Sequence, residues 1–378
     1  MNEKIEKLSQ MLFERQNFDC KTSQQNQYTL LLGAGASIDS GGPSCQQLCK
    51  EYCEEHSISV TDNDNSEASQ RDKYITAFQN AKKDRIGTYL AFAKKLSDKE
   101  PSTGYYHLAT LIKKNVFKTI ITTNYDNLLE KALTKIMPIE EIKVLIRGEV
   151  TDEYIAKFIK EGVPKVKIIK LHGDLQSNIF FYKDEQSIIS TDLQNFLKDC
   201  VKNGSIIVGH EMLDADLKGI YTGTPVYNFF VNPIAPDLQV KKILNLNDPE
   251  QIINDKIMRK AFENGKEVEK EDCIGYFDTF FTELNLRFQK NIIKQEEQKQ
   301  KRNDIEEKIL EESQKGVGYI NYNDLRIMVD EFWNTIRKAY KDELPDVIVF
   351  INDPSAGGME LKRLMSHWIE SYKEKKLS

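Results

Sequence analysis

The sequence predicts an α/β fold, a Rossmann-like parallel sheet with helices on both faces, plus a mostly helical C-terminal region. Three observations carry this. Short apolar runs suited to buried strands alternate with segments of helical spacing. Each run stops at a glycine or a small polar cluster, where a parallel sheet would present its carboxyl ends. The 378 residues are 40% hydrophobic and 30% charged, a globular composition. At roughly 150 residues per domain, two or three domains are expected.

The elements follow in order. Tyr28 to Leu32 is an apolar run fit for a buried strand, broken by Gly33 and Gly35, with helical spacing resuming at Cys45. After a polar stretch at 61–70, Lys73 to Leu96 carries apolar residues at helix spacing, so about 61–104 reads as a helical insert. Residues 105–115 read as a helix and Phe117 to Thr122 as a second strand leading into the helix NLLEKAL. Lys165 to Leu171, Ser205 to Val208 and Val226 to Val231 are three further strands, ending at His172-Gly173, Gly209 and Asn232-Pro233. From 285 the chain becomes one densely charged helix with little apolar surface. Tyr319 to Tyr340 reads as helix, Asp346 to Ile351 as strand, Pro354 to Gly358 as turn and Met359 to Tyr372 as a closing helix. The expected division is residues 1–285 as one α/β domain and 286–378 as a charged helix and α/β region offering an oligomer or partner surface.

Charge and cysteine usage narrow the function classes. A net charge of -6 disfavours an indiscriminate grip on nucleic acid phosphates. No stretch reaches the 18 or more apolar residues of a membrane span, and the first residues lack the apolar block of a secretory signal, so a cytoplasmic protein is expected. Cys45, Cys49 and Cys53 recur every fourth residue, along one helix face instead of around a metal, and no metal site is expected.

Polar residues gather at the strand ends. Gly33-Ala34-Gly35-Ala36-Ser37 after a strand lets backbone amides approach a pyrophosphate, although G-x-G is also ordinary turn chemistry. Thr122-Thr123-Asn124-Tyr125-Asp126 places more polar side chains after the second strand than a helix cap requires. His172, among five histidines, sits at a strand end followed by glycine. With Gly209 and Asn232, these positions converge on one crevice of a parallel sheet.

GAGAS, TTNYDNL, KLHGD and VGHEMLDADL, in that order across residues 28–235, resemble the sirtuin-like NAD-binding fold. The resemblance implies that Gly33, Ala34, Gly35 and Ser37 form a phosphate-binding turn, with Thr122 beside the ligand. It implies that Asn124 and Asp126 lie beside the nicotinamide riboside, that His172 is the catalytic histidine, and that Gly209 and Asn232 hold the adenosine half. The chain departs from protein deacylases of this kind. Gly41-Gly42-Pro43-Ser44 replaces their G-I-P-D-F-R, Thr123 stands where they carry glutamine, and no pair of C-x-x-C elements follows His172. In these respects it is similar to bacterial sirtuin-like proteins that consume NAD in antiphage defence. That implies an NAD glycohydrolase with NAD as substrate, a homo-oligomer, and a partner such as a HerA-like ATPase or another defence-operon product. NAD-dependent deacylation, ADP-ribosyl transfer, and a non-enzymatic module binding NAD or ADP-ribose remain as alternatives.

Overall fold

The structure is a computed structural model and describes residues 2–18, 27–60, 73, 77, 93–160, 165–181, 189–212, 214–224, 226–255, 257–263 and 266–314. Most of the expected insert at 61–104, and everything read as helix, strand or turn from Tyr319 onward, lies outside the described residues.

The described elements run α1 (Asn2–Phe18), β1 (Thr29–Leu32), a 3-10 turn (Ala34–Ser40), α2 (Cys45–Glu55), α3 (Thr103–Lys113), β2 (Thr119–Thr122) and α4 (Leu128–Thr134). They continue with β3 (Ile142–Ile146), α5 (Asp152–Lys160), β4 (Val166–Lys170), the short pair β5 (Gly173–Asp174) and β6 (Ile179–Phe180), and α6 (Thr191–Val201). Then come β7 (Ser205–Val208), α7 (Ala215–Tyr221), β8 (Phe229–Val231), α8 (Leu238–Ile243), β9 (Ile252–Ile253), a hairpin of β10 (Ile257–Glu263) with β11 (Lys266–Asp272), and α9 (Tyr276–Gln314).

Seven strands form one sheet in the order β3-β4-β2-β1-β7-β8-β9. All six pairings are parallel. Because successive residues of a strand point to opposite faces, the burial of both Leu30 and Leu31, Ile120 and Ile121, and Ile206 and Ile207 means that both faces are covered. One face packs Leu31, Ile121, Ile169, Ile207 and Phe230 against Ile155 of α5, Leu193 and Leu197 of α6, and Leu217 and Ile220 of α7. The fold class read from the sequence is thus the fold observed.

Two strands of the sheet were not anticipated. β3, Ile-Lys-Val-Leu-Ile, is half-buried along most of its length, and β9 is two residues long. Val226 to Val231 narrows to Phe229–Val231. The preceding Asn228 is fully buried and works as a brace, accepting from the Ser205 N–H at 2.8 Å and donating to the Leu244 carbonyl at 2.8 Å.

The chain divides into two compact units, Met1–Gln289 and Lys290–Ser378. The first holds the sheet. It includes the opening of α9, where Phe280, Phe281, Leu284 and Phe288 are fully buried, and Phe288 meets Phe13 of α1 edge-on at 6.0 Å between ring centroids. In the second unit the described residues, 290–314, are helix. Among the described residues no helix is long and apolar enough to cross a membrane, and no group of three or more His, Cys, Asp or Glu is gathered to hold a metal ion. Cys49 and Cys53 are buried in α2 beside Leu48 and Tyr52.

Candidate active site

The strand order fixes where a site can form. From β1 the chain crosses to β2 on one side and reaches β7 on the other, so the order reverses between β1 and β7, and a crevice opens there at the carboxyl ends. β4, β2, β1, β7 and β8 are consecutive neighbours, and His172, Asn124, Gly33, Gly209 and Asn232 follow their last residues closely.

At the reversal the two loops touch. The Gly33 N–H donates to the Val208 carbonyl at 3.0 Å and the Gly35 N–H to the Gly209 carbonyl at 2.9 Å. A methyl group at Gly33 would lie 2.5 Å from the Gly209 oxygen, and one at Gly35 2.7 Å from the Gly209 Cα. Gly209 itself adopts φ +64, the left-handed region. The glycines therefore serve the close approach of β1 and β7, and their N–H groups are spent on backbone carbonyls instead of pointing into an open turn.

Beside this contact lies a buried polar cluster. The Asn124 carboxamide donates through Nδ2 to the Gly33 carbonyl at 3.0 Å and to Ser37 Oγ at 3.2 Å. Ser37 Oγ in turn donates to Asp126 Oδ2 at 2.7 Å. Asp126 Oδ1 accepts from the Leu128 N–H at 3.2 Å, the ordinary work of a helix-start carboxylate. Asn124 does no capping. Its Oδ1 is buried with no hydrogen-bond partner among the described residues. Thr122 Oγ1 donates to the Leu32 carbonyl and accepts from the Asn124 N–H, both at 3.1 Å, which locks the turn between strand and cluster. Burial, with the Asp126 charge nearby, pushes the Tyr105 phenol well above its usual range, so it stays a neutral O–H at this site.

His172 leaves β4 and is buried, its Nε2 3.1 Å from Asp216 Oδ2 on α7. Its carbonyl accepts from the Phe181 N–H at 2.9 Å, so the β5–β6 pair closes back on it. One residue past Gly209, His210 Nε2 lies 3.0 Å from Asp214 Oδ2. Burial alone would raise Asp214. The hydrogen bond from His210, with the positive charge that His210, His172 and Lys218 carry when protonated, outweighs burial and lowers its pKa to about 2. Asn232 is buried, and its Oδ1 accepts from the Ile234 N–H at 3.0 Å, a local loop bond.

Beneath the cluster, Lys170 is completely buried. Its Nζ donates to the Asp126 carbonyl at 2.5 Å and to Glu130 Oε1 at 3.3 Å, and pairs with Asp174. Burial works against that charge, but Glu130, Asp174 and Asp126 outweigh it, so the Lys170 pKa is raised. Glu130 is itself pushed up by burial, with Lys170 opposing.

Sequence reasoning did not single out Asp216, Asp214, Tyr105 or Lys170 and set His210 aside. The available signals were a D-x-D at a helix start soon after a strand-end histidine, and a lysine ending an otherwise apolar strand.

Comparison with curated proteins finds no match for the chain. Among solved structures, a mutant Sir2 homologue in complex with ADP-ribose is 14% identical with a TM-score of 0.43, covering 76% of this chain and 97% of that one. A Sir2 homologue in complex with NAD is likewise 14% identical with a TM-score of 0.43, covering 76% and 94%. Residues 118–224 match the family model of the SIR2-like domain. Across that span, which runs from β2 through α7 and includes Asn124, Asp126, His172 and Gly209, the chain is similar to a SIR2-like domain and in that sense sirtuin-like.

Proposed function

We propose that this chain is an NAD glycohydrolase, cleaving NAD to nicotinamide and ADP-ribose. The observation that carries the reading is the buried Asn124 Oδ1. An acceptor buried without a partner costs about 1–3 kcal/mol, and here it sits at the carboxyl ends of a parallel sheet, beside Ser37 and Gly33. In this reading the cluster opens on binding, and a ribose hydroxyl or a water then supplies the missing donor. The motif order and the SIR2-like match over residues 118–224 support NAD as the molecule that brings it.

In the reaction the bond between ribose C1′ and the nicotinamide nitrogen breaks, and its electron pair leaves with the neutral nicotinamide. The sugar passes through an oxocarbenium-like state. Water adds at C1′ and one proton is released. Asn124 holds the water or a ribose hydroxyl, and Asp126 supports the positive sugar from its place beside Ser37. His172 accepts a proton from water or a hydroxyl. In this reading Ala34, Ser37 and Thr122 line the phosphate side, Gly33 and Gly35 shape it by letting the two loops meet instead of by donating their N–H groups, and Gly209 and Asn232 face the adenosine half.

The test is incubation of the purified chain with NAD, alone and with its genomic neighbour, while nicotinamide and ADP-ribose are separated chromatographically. Free ADP-ribose without an acceptor is the expected product, and modified protein in its place would indicate transfer. Asn124→Ala and His172→Ala should fold normally and lose about 100-fold or more of NAD turnover, the range for positioned acid–base groups. Normal turnover in both folded variants would overturn the assignment. A role in antiphage defence, with NAD loss held in check until a HerA-like ATPase or another partner engages, belongs to the same proposal. It predicts that nicotinamide release rises on adding that partner.

A further inference from the structure

The D-A-D element at the start of α7 has no part in the reaction as written above. Acids at a helix start ordinarily accept helix N–H groups. Asp214 occupies the N-cap position without accepting any such bond, and reaches His210 instead. The Met212 N–H donates to His210 Nδ1 at 2.9 Å, so the His210 proton lies on Nε2 and goes to Asp214. The hydrogen bonds of that pair stay within its own loop, and Asp214 meets His172 through charge.

The second carboxylate behaves differently. Asp216 has a fully buried side chain, and its Oδ1 accepts from the neighbouring Leu217 N–H at 2.8 Å. Its Oδ2 spans 44 residues of sequence to His172. A helix-start role needs one oxygen and no distant histidine, and burying a carboxylate costs several kcal/mol unless it is partnered. A carboxylate can only accept, so His172 Nε2 carries the proton and the imidazole lone pair lies on Nδ1. We propose that Asp216 is a positioning residue for NAD cleavage. It fixes the tautomer and orientation of His172 and stabilises the imidazolium formed when the ring takes a proton. The inference rests on the NAD reading above.

Asp216→Asn keeps the shape and the acceptor for Leu217 N–H but removes the charge. Its kcat should fall roughly 10- to 100-fold, no further than in His172→Ala, because it acts through that acid–base group. KM should stay within about 2-fold, and Asp216→Asn combined with His172→Ala should be within about 2-fold of His172→Ala alone, since a residue acting through another adds nothing once that one is gone. Nitrogen NMR of the full chain, with the His172 ring signals assigned by their loss in His172→Ala, should show a proton on Nε2 in the wild type and an altered pattern in Asp216→Asn. Unchanged ring signals, an unchanged kcat in a chain that His172→Ala inactivates, a purely KM effect, or additive losses in the double variant would each overturn the proposal. A wild-type chain that releases no nicotinamide even with its genomic neighbour added overturns the NAD reading instead, and the ring signals, which need no turnover, then decide by themselves whether Asp216 sets the tautomer.

Discussion

At Gly209 two demands meet in one residue. Its φ of +64 suits glycine, and a methyl there would come within 2.6 Å of the Ala36 nitrogen. Left-handed backbone costs a side chain about 1–2 kcal/mol, and forcing atoms into a packed contact adds about 1–3 kcal/mol. Gly209→Ala is therefore expected to lose about 2–5 kcal/mol in urea unfolding, and NAD affinity with it. Asp214 carries the clearest pH signature. Its folded pKa of about 2 lies below the ordinary 3.8, so its contribution is complete above about pH 4 and is lost as pH falls through 2. The amount is about 2 kcal/mol. Asp214→Asn should lower stability at pH 7 and flatten the decline between pH 4 and 2, measured as unfolding free energy against pH.

Among the elements, α4 and β4 are joined by the buried lysine. Lys170 holds the Asp126 carbonyl and faces Glu130 and Asp174, so Lys170→Met leaves the buried Asp174 and the half-buried Glu130 without their cation. Breaking such a group by removing one side costs about 3–5 kcal/mol at neutral pH. The deficit should shrink as pH is lowered toward 5, because Glu130, already pushed up by burial, can then take up a proton, and chemical denaturation at the two pH values would show it. Strands β1, β2, β4 and β7 were legible as apolar runs ending in glycine or polar residues, because a strand buried on both faces leaves that mark in sequence. β3 was not legible although four of its five residues are apolar, because no glycine or small polar cluster directly closes the run after Ile146 as it does at the other strand ends. Asn124, Asp126 and His172 were found from their strand ends. The His172–Asp216 and Lys170–Glu130 contacts were not, because they join residues 44 and 40 apart through the tertiary fold, and no local spacing encodes that.

On the scale of the first unit, the parallel sheet is closed on one side by aromatic residues from the far end of its chain. Tyr276 donates its hydroxyl to the Ile253 carbonyl at 2.6 Å, Phe277 meets Tyr105 at 4.6 Å, and Asp39 accepts the N–H groups of Gly275 and Asp278. Phe280→Ala should cost the first unit about 3–5 kcal/mol, checked by calorimetry. The loops at the strand reversal carry a different lesson, one for engineers. Since the Gly209 oxygen stands where a methyl on residue 33 would have to go, the turn after β1 cannot be transplanted into another scaffold by itself. A working graft would have to move both loops together, and natural variation at either one should be tolerated only when the other changes in step.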